Sequence, residues 1–149
     1  MVTTQILGRD EIANLIPHAG TMCLLDGVLA WEKESIRCFS TRHRALDNPL
    51  RQAGRLGILC GIEFAAQAMA VHGRLAGAVG ARPRAGYIAS LRDVTCHSDR
   101  LDAFDGDLII DAMHLMGDDE RVVYSFALFY KAQELLTGRA TVVLQADPA

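Results

Sequence analysis

None of the four cysteines, Cys23, Cys38, Cys60 and Cys96, stands in a Cys-x-x-Cys pair or repeats a spacing. A disulfide framework and a zinc knuckle are therefore not expected, and the four read as small buried hydrophobes. No apolar run reaches the roughly 18 residues of a membrane span. The opening MVTTQILGRDEIANL has no basic stretch followed by an apolar one, so a cytoplasmic protein is expected. Fifteen Lys and Arg against 18 Asp and Glu give a formal charge of −3, which removes the electrostatic case for a nucleic-acid partner. The nearest basic grouping, Arg82 and Arg84 around Pro83, reads as a solvated loop. Walker A, Gly-x-Gly-x-x-Gly, Gly-x-Ser-x-Gly and His-Glu-x-x-His patterns are all missing. No cofactor and no metal is expected.

What is present is an ordinary globular composition. The 149 residues are 50% hydrophobic and 22% charged, which suits one domain over 1–149 with a real core. Ile12, Leu15 and Ile16 recur at helical spacing behind Asp10 and Glu11, and Pro17 closes a short helix. MCLLDGVLAWEKESIRCFST turns from apolar to alternating around Ile36 and Cys38, which predicts a strand hairpin. RHRALDNPLRQAGR is polar and broken at Asn48-Pro49, a loop pattern. The longest helix is predicted from about Arg55 to about Ala76. Past the Gly- and Pro-rich GAVGARPRAG come four strand-like runs: YIASLRDVTC, DLIIDAMHLM, RVVYSFALFYKA and ELLTGRATVVLQ. GDDE reads as a turn and KAQEL as a tight connection. Helices and strands are segregated, so the class is α+β. A long helix that is apolar nearly all round has to be wrapped. One antiparallel sheet curled around one central helix does this, and its open edges predict at least a dimer.

That helix, GILCGIEFAAQAMAVHG, carries one carboxylate. Cys60, Glu63, Gln67 and Ala70 share a face at helical spacing, among small residues at Gly57, Gly61, Ala65 and Ala66. Glu63 is expected to be partly desolvated there. Burial favours the neutral form of a carboxyl, which suits donation of a proton near neutrality. Gln67, one turn on, is placed to orient it. The helix start near Gly54 to Gly57 offers unpaired N–H groups able to polarise a carbonyl. The alternative is a Glu63 that pairs with an Arg across a dimer interface or reaches solvent.

The same residues resemble the hotdog-fold 3-hydroxyacyl-acyl-carrier-protein dehydratases. EFAAQ here stands where those enzymes carry EAMAQ with the catalytic acid, so Glu63 and Gln67 match in type and spacing. PHAGTMCLLDGV resembles their PHRYPFLLVDRV at Pro17, His18, Leu24, Leu25, Asp26 and Val28. Residues 43–73 follow the pattern of the dehydratase-like subgroup encoded with aryl polyene and related polyketide-type clusters. The resemblance implies a hotdog fold and dehydration of 3-hydroxyacyl thioesters on an acyl carrier protein, in fatty acid or aryl polyene biosynthesis. In that family a loop His removes the α-proton, the helix acid protonates the departing hydroxyl, and a backbone N–H at the helix start, here near Gly57, holds the thioester oxygen. The family spacing puts the loop His at Asn48-Pro49, where this chain has none; Asn48 stays as a candidate orienting residue.

Three arrangements remain open. His18, or next His43, replaces the loop His as base. Alternatively, Glu63 completes a site with the His of a paralogous dehydratase, in a heterodimer instead of a homodimer. Or the chain is a non-catalytic partner subunit. An acyl-CoA thioesterase, which uses the same fold with a helix carboxylate activating water, is the rival enzyme class. His72, His97 and His114 form no metal-ligand pattern, and His72 is expected to pair with the helix C-terminal dipole. Trp31, Phe39, Tyr124, Phe126, Phe129 and Tyr130 are expected in the core or on sheet faces, some of them lining an acyl tunnel.

Overall fold

The computed structural model describes residues 6–16, 20–77 and 86–145; Pro17, His18 and the Arg82–Pro83–Arg84 tract lie outside them. Seven strands, β1 (Leu7–Gly8), β2 (Gly27–Glu32), β3 (Ser35–Ser40), β4 (Gly86–Cys96), β5 (Leu108–Gly117), β6 (Arg121–Tyr130) and β7 (Gln133–Leu144), form one antiparallel sheet. Their order across the sheet is β1-β2-β3-β5-β6-β7-β4. Two α-helices occur among the described residues, α1 (Arg9–Leu15) and α2 (Gly61–Ala76). The sheet wraps α2, as expected, and all four C-terminal strands form where the alternation placed them. The two-residue β1 was not foreseen, because two residues carry no period.

Alternation along the strands sorts the two faces. Ile36, Cys38, Leu108, Ile110, Ala112, Tyr124, Phe126 and Leu128 turn inward and are buried. On the outer face Arg37 donates two 2.8 Å hydrogen bonds to its cross-strand neighbour Asp111. Helix α2 presents Phe64, Ala65, Ala68, Met69 and Val71 to the inner face. Phe64 is fully buried, worth about 1.5–3 kcal/mol relative to exposure. Gly61 is where helix and sheet come closest. A Cβ there would lie 2.9 Å from the Cδ2 methyls of both Leu128 and Leu136, so even Ala would make those side chains shift.

The helix begins later than its sequence pattern predicts. The chain up to Gly57 is extended, because Leu56 accepts from the Leu101 N–H (2.8 Å) and Ile58 donates to Asp99 (3.1 Å). A single 3₁₀ turn, Ile58–Cys60, then leads into α2 at Gly61. The cysteines also divide. All four are free; Cys23 and Cys38 are buried as expected, Cys60 is half-buried, and Cys96 is exposed. Cys96 ends β4, the outermost strand, where nothing covers it. Trp31, at the end of β2, is 37% exposed. No helix among the described residues is long and apolar enough to cross a membrane.

Candidate active site

Glu63 lies in the first turn of α2. Ala66 and Ala70 follow it along the outward stripe of the helix, and Gly73 and Arg74 continue that stripe. The stripe forms one wall of a groove of about 1020 Å³, closed by Leu15 and Ile16 at the end of α1 and by Tyr87, Ile88, Val142 and Leu144 from the sheet. Glu63 is exposed and has no hydrogen-bond or ion-pair partner among the described residues. The expected partial desolvation is therefore not present in a single chain. The side chains around it, Ala66 and Ala70, are too short to cover a carboxylate.

Gln67 does not orient Glu63. Its side-chain oxygen accepts the Leu24 N–H at 2.8 Å and its amide nitrogen donates to the Met22 carbonyl at 2.7 Å. Both ends are consumed, with the residue fully buried. Gln67 thus behaves like a short stretch of β-ladder. It straps residues 22–24 to the helix beside Glu63, a role in which an apolar side chain would strand two backbone groups.

Asn48 is also occupied. Its Nδ2 donates to Arg42 and its Oδ1 accepts the Leu50 N–H, both at 2.9 Å. The second bond spans two residues, the local turn that an Asn before Pro favours. Asn48 is buried and serves its own loop. Arg51 works beside it, donating to the carbonyls of Ala45 (2.8 Å), Gly54 (3.0 Å) and His43 (3.4 Å). Asp102, 6% exposed, faces Arg51 at 3.8 Å, takes a two-pronged bond from Arg100, and accepts the Leu56 N–H at 3.2 Å. The Arg100 guanidinium holds the Asp102 carboxyl far below the usual carboxylate range. The segment entering α2 is therefore fixed from both sides.

This frame sets Gly57. It sits opposite Arg100 in an antiparallel bridge whose two hydrogen bonds come from the flanking residues. In such a pair the central N–H points away from the partner strand. The Gly57 N–H turns instead toward the Cys60 sulfur, and a Cβ on Gly57 would meet nothing within 4 Å. Gly57 thus stands in the bridged segment ahead of Glu63, with room in front of it and its N–H beside a thiol.

The described histidines do not supply a base beside Glu63. His43 is fully buried, with Nε2 donating to the Phe104 carbonyl at 2.9 Å and no partner for Nδ1. Burial pushes its pKa down. His72, expected at the helix dipole, is instead buried against the sheet. Its Nε2 donates to the Glu32 carbonyl (3.0 Å), which leaves Nδ1 to accept the Tyr124 hydroxyl (2.7 Å). Its pKa is also lowered, first by burial. His97 sits 3.9 Å from Glu134. His114 lines the groove and packs edge-on against Tyr124, ring centroids 5.5 Å apart. No metal-binding cluster of His, Cys, Asp or Glu occurs among the described residues. Sequence reasoning missed Asp102, Arg51 and the His72–Tyr124 pair. Each joins residues about fifty apart, which no local pattern marks.

A comparison with curated proteins returns no match. Among solved structures, the chain is similar to the dehydratase heterocomplex ApeI:P from Xenorhabdus doucetiae, with 22% identity over 91% of each chain and a TM-score of 0.77. It is also similar to the thioesterase HI1161 from Haemophilus influenzae, with 12% identity over 97% of this chain and 95% of that one, TM-score 0.64. A mutant of the thioesterase PA1618 from Pseudomonas aeruginosa matches at 12% identity, 97% and 98% coverage and TM-score 0.62. Identities this low speak to the fold, which is the hotdog fold. At the level of sequence, residues 10–149 match the ApeP-like family, described as ApeP dehydratase, and the chain belongs to that family.

Proposed function

We propose that this chain takes part in the dehydration of 3-hydroxyacyl thioesters on an acyl carrier protein, contributing Glu63 as general acid to a site completed by a second hotdog chain. One observation carries this reading. Glu63 stands free on the wall of a large groove, while His43 and His72 are bound into the fold, His97 lies beside Glu134, and His114 enters the groove next to Tyr124 and the His72 end of α2. An acid without a base is half of a dehydration site. The base abstracts the proton α to the thioester carbonyl, the acid protonates the β-hydroxyl as it leaves as water, and an enoyl thioester results. The Gly57 N–H, which in the single chain faces only the weak acceptor Cys60, is suited to hold the thioester oxygen as negative charge gathers on it. The second chain is a paralogous dehydratase supplying the loop His that Asn48 replaces. The heterocomplex found for the similar Xenorhabdus doucetiae proteins supports that partner. So does strand β4, an eleven-residue sheet edge left unpaired on its outer side, with Tyr87 56% and Leu91 40% exposed. Such an edge invites pairing.

Complementation tests it. The classical hotdog dehydratase of the same organism, with its own helix acid replaced, is mixed with this chain, and enoyl thioester is followed by its ultraviolet absorption. Wild-type chain should restore turnover, and Glu63→Gln should lower the restored rate at least about 100-fold. Equal rescue by both would end the assignment of Glu63. Release of free thiol in place of enoyl product would make the chain a thioesterase.

A further inference from the structure

The groove has a polar end that the dehydration chemistry does not use. Its walls are aliphatic: Leu15, Ile16, Met69, Ile88 and Val142. His72 lies nine residues beyond Glu63 on α2, about 14 Å further along the axis at 1.5 Å per residue. There Tyr124 stands between two imidazoles, edge-on to His72 at 5.6 Å and to His114 at 5.5 Å. His114 and Tyr124 are direct cross-strand neighbours on β5 and β6. The donor of the Tyr124 hydroxyl is spent on His72, but the oxygen keeps lone pairs able to accept. The His114 ring nitrogens, one a donor and one an acceptor in the neutral ring, have no partner among the described residues. A partly buried imidazole in an apolar channel is costly unless something satisfies it.

We propose that His114 and Tyr124 form a terminal hydrogen-bonding site, and that the groove selects acyl thioesters whose far end carries a hydroxyl or similar polar group. The ligand's hydroxyl donates to one of the two side chains and accepts from the His114 N–H, while its methylene chain fills the aliphatic channel. The inference rests on the acyl-thioester reading for the class of ligand and adds which end group is preferred. Lys33, Glu34 and Arg74 also line the groove, and the Glu34 carbonyl accepts the His114 backbone N–H at 2.7 Å, which fixes the strand position of the His114 ring.

Calorimetric titration of the full chain, with dodecanoyl-pantetheine and with ω-hydroxydodecanoyl-pantetheine, tests this without turnover. One satisfied hydrogen bond predicts that the hydroxyl-ended chain binds about fivefold tighter. His114→Phe, which keeps the ring and removes the polar atoms, should abolish or reverse that preference. If the methyl-ended chain binds as tightly or tighter in the wild type, the terminal site is wrong and the acyl reading stands. If neither binds, both fall. Because the wild-type comparison is decisive alone, a poorly folded variant cannot hide the answer.

Discussion

The loop of residues 42–56 and the outward stripe of α2 adjoin each other, yet they are built on opposite principles. In the loop nearly every polar group is spoken for: Asn48 bonds its own backbone, Arg51 gathers three carbonyls, and Asp102 ties both arginines to Leu56. On the stripe, Glu63 and the groove beside it are left open. Satisfied groups hold a shape; unsatisfied ones are available for a ligand or a partner. Asn48, at the position to which the resemblance assigns a base, therefore belongs to the rigid part here, and Glu63, the proposed acid, belongs to the open part.

Breaking the rigid part should have the largest effect on stability. Asp102→Asn removes the anion between Arg51 and Arg100 and keeps the side chain's shape. Arg51 would be left largely buried without its counter-charge. Arg100 is more than a third exposed, which moderates the penalty. A loss of about 2–3 kcal/mol is expected in urea unfolding. A loss below about 0.5 kcal/mol would mean that the loop is held by its backbone bonds alone.

How much of this was legible beforehand follows from the range of each interaction. The four C-terminal strands and the wrapped helix were readable because periods of 2 and 3.6 repeat over ten or more residues; the seven-residue α1 was marked by its acidic first turn and the Pro17 that follows it. Glu63 stood out as a lone acid in an apolar helix, but a start at Arg55 put it two turns in, whereas the structure has it in the first turn. Gln67 was misread. Its spacing to Glu63 is that of neighbours on one face, but its amide found two backbone groups forty-odd residues away. His72 was misread for the same reason: nothing near it in sequence announces Tyr124 or Glu32. The helix start slipped from Arg55 to Gly61 because an apolar run cannot show that residues 56–58 pair with the segment at 99–101. Long-range polar bonds decided each of these cases.

Acid should find the next weakness. His43 and His72 both have folded-state pKa values below the ordinary histidine value, first because of burial. The unfolded chain then binds protons that the folded chain refuses, so stability is full above about pH 6.5 and falls as pH drops below it. Each histidine adds at most about 1.4 kcal/mol per pH unit to that slope. Thermal unfolding between pH 8 and pH 5 should show the decline. His72→Gln, which can still donate to Glu32 and accept from Tyr124, should flatten it. An unchanged slope in that variant would place the acid sensitivity elsewhere.

The open part should respond to substitution with almost no change in stability. Glu63→Ala removes an exposed carboxylate that has no partner among the described residues. It gives up a favourable place at the helix N-terminus, worth about 0.3–1 kcal/mol, and gains the helix propensity of Ala, which offsets part of that. Unfolding free energy should therefore stay within about 0.5 kcal/mol of wild type. Measured on the same preparation that loses complementation, that small difference separates a functional acid from a structural one. A structural Glu63, paired with an arginine across a subunit interface, would instead weaken the dimer. Its loss would appear as a concentration-dependent fall in melting temperature, and the free carboxylate of the single chain would then be an interface group and not an acid awaiting its base.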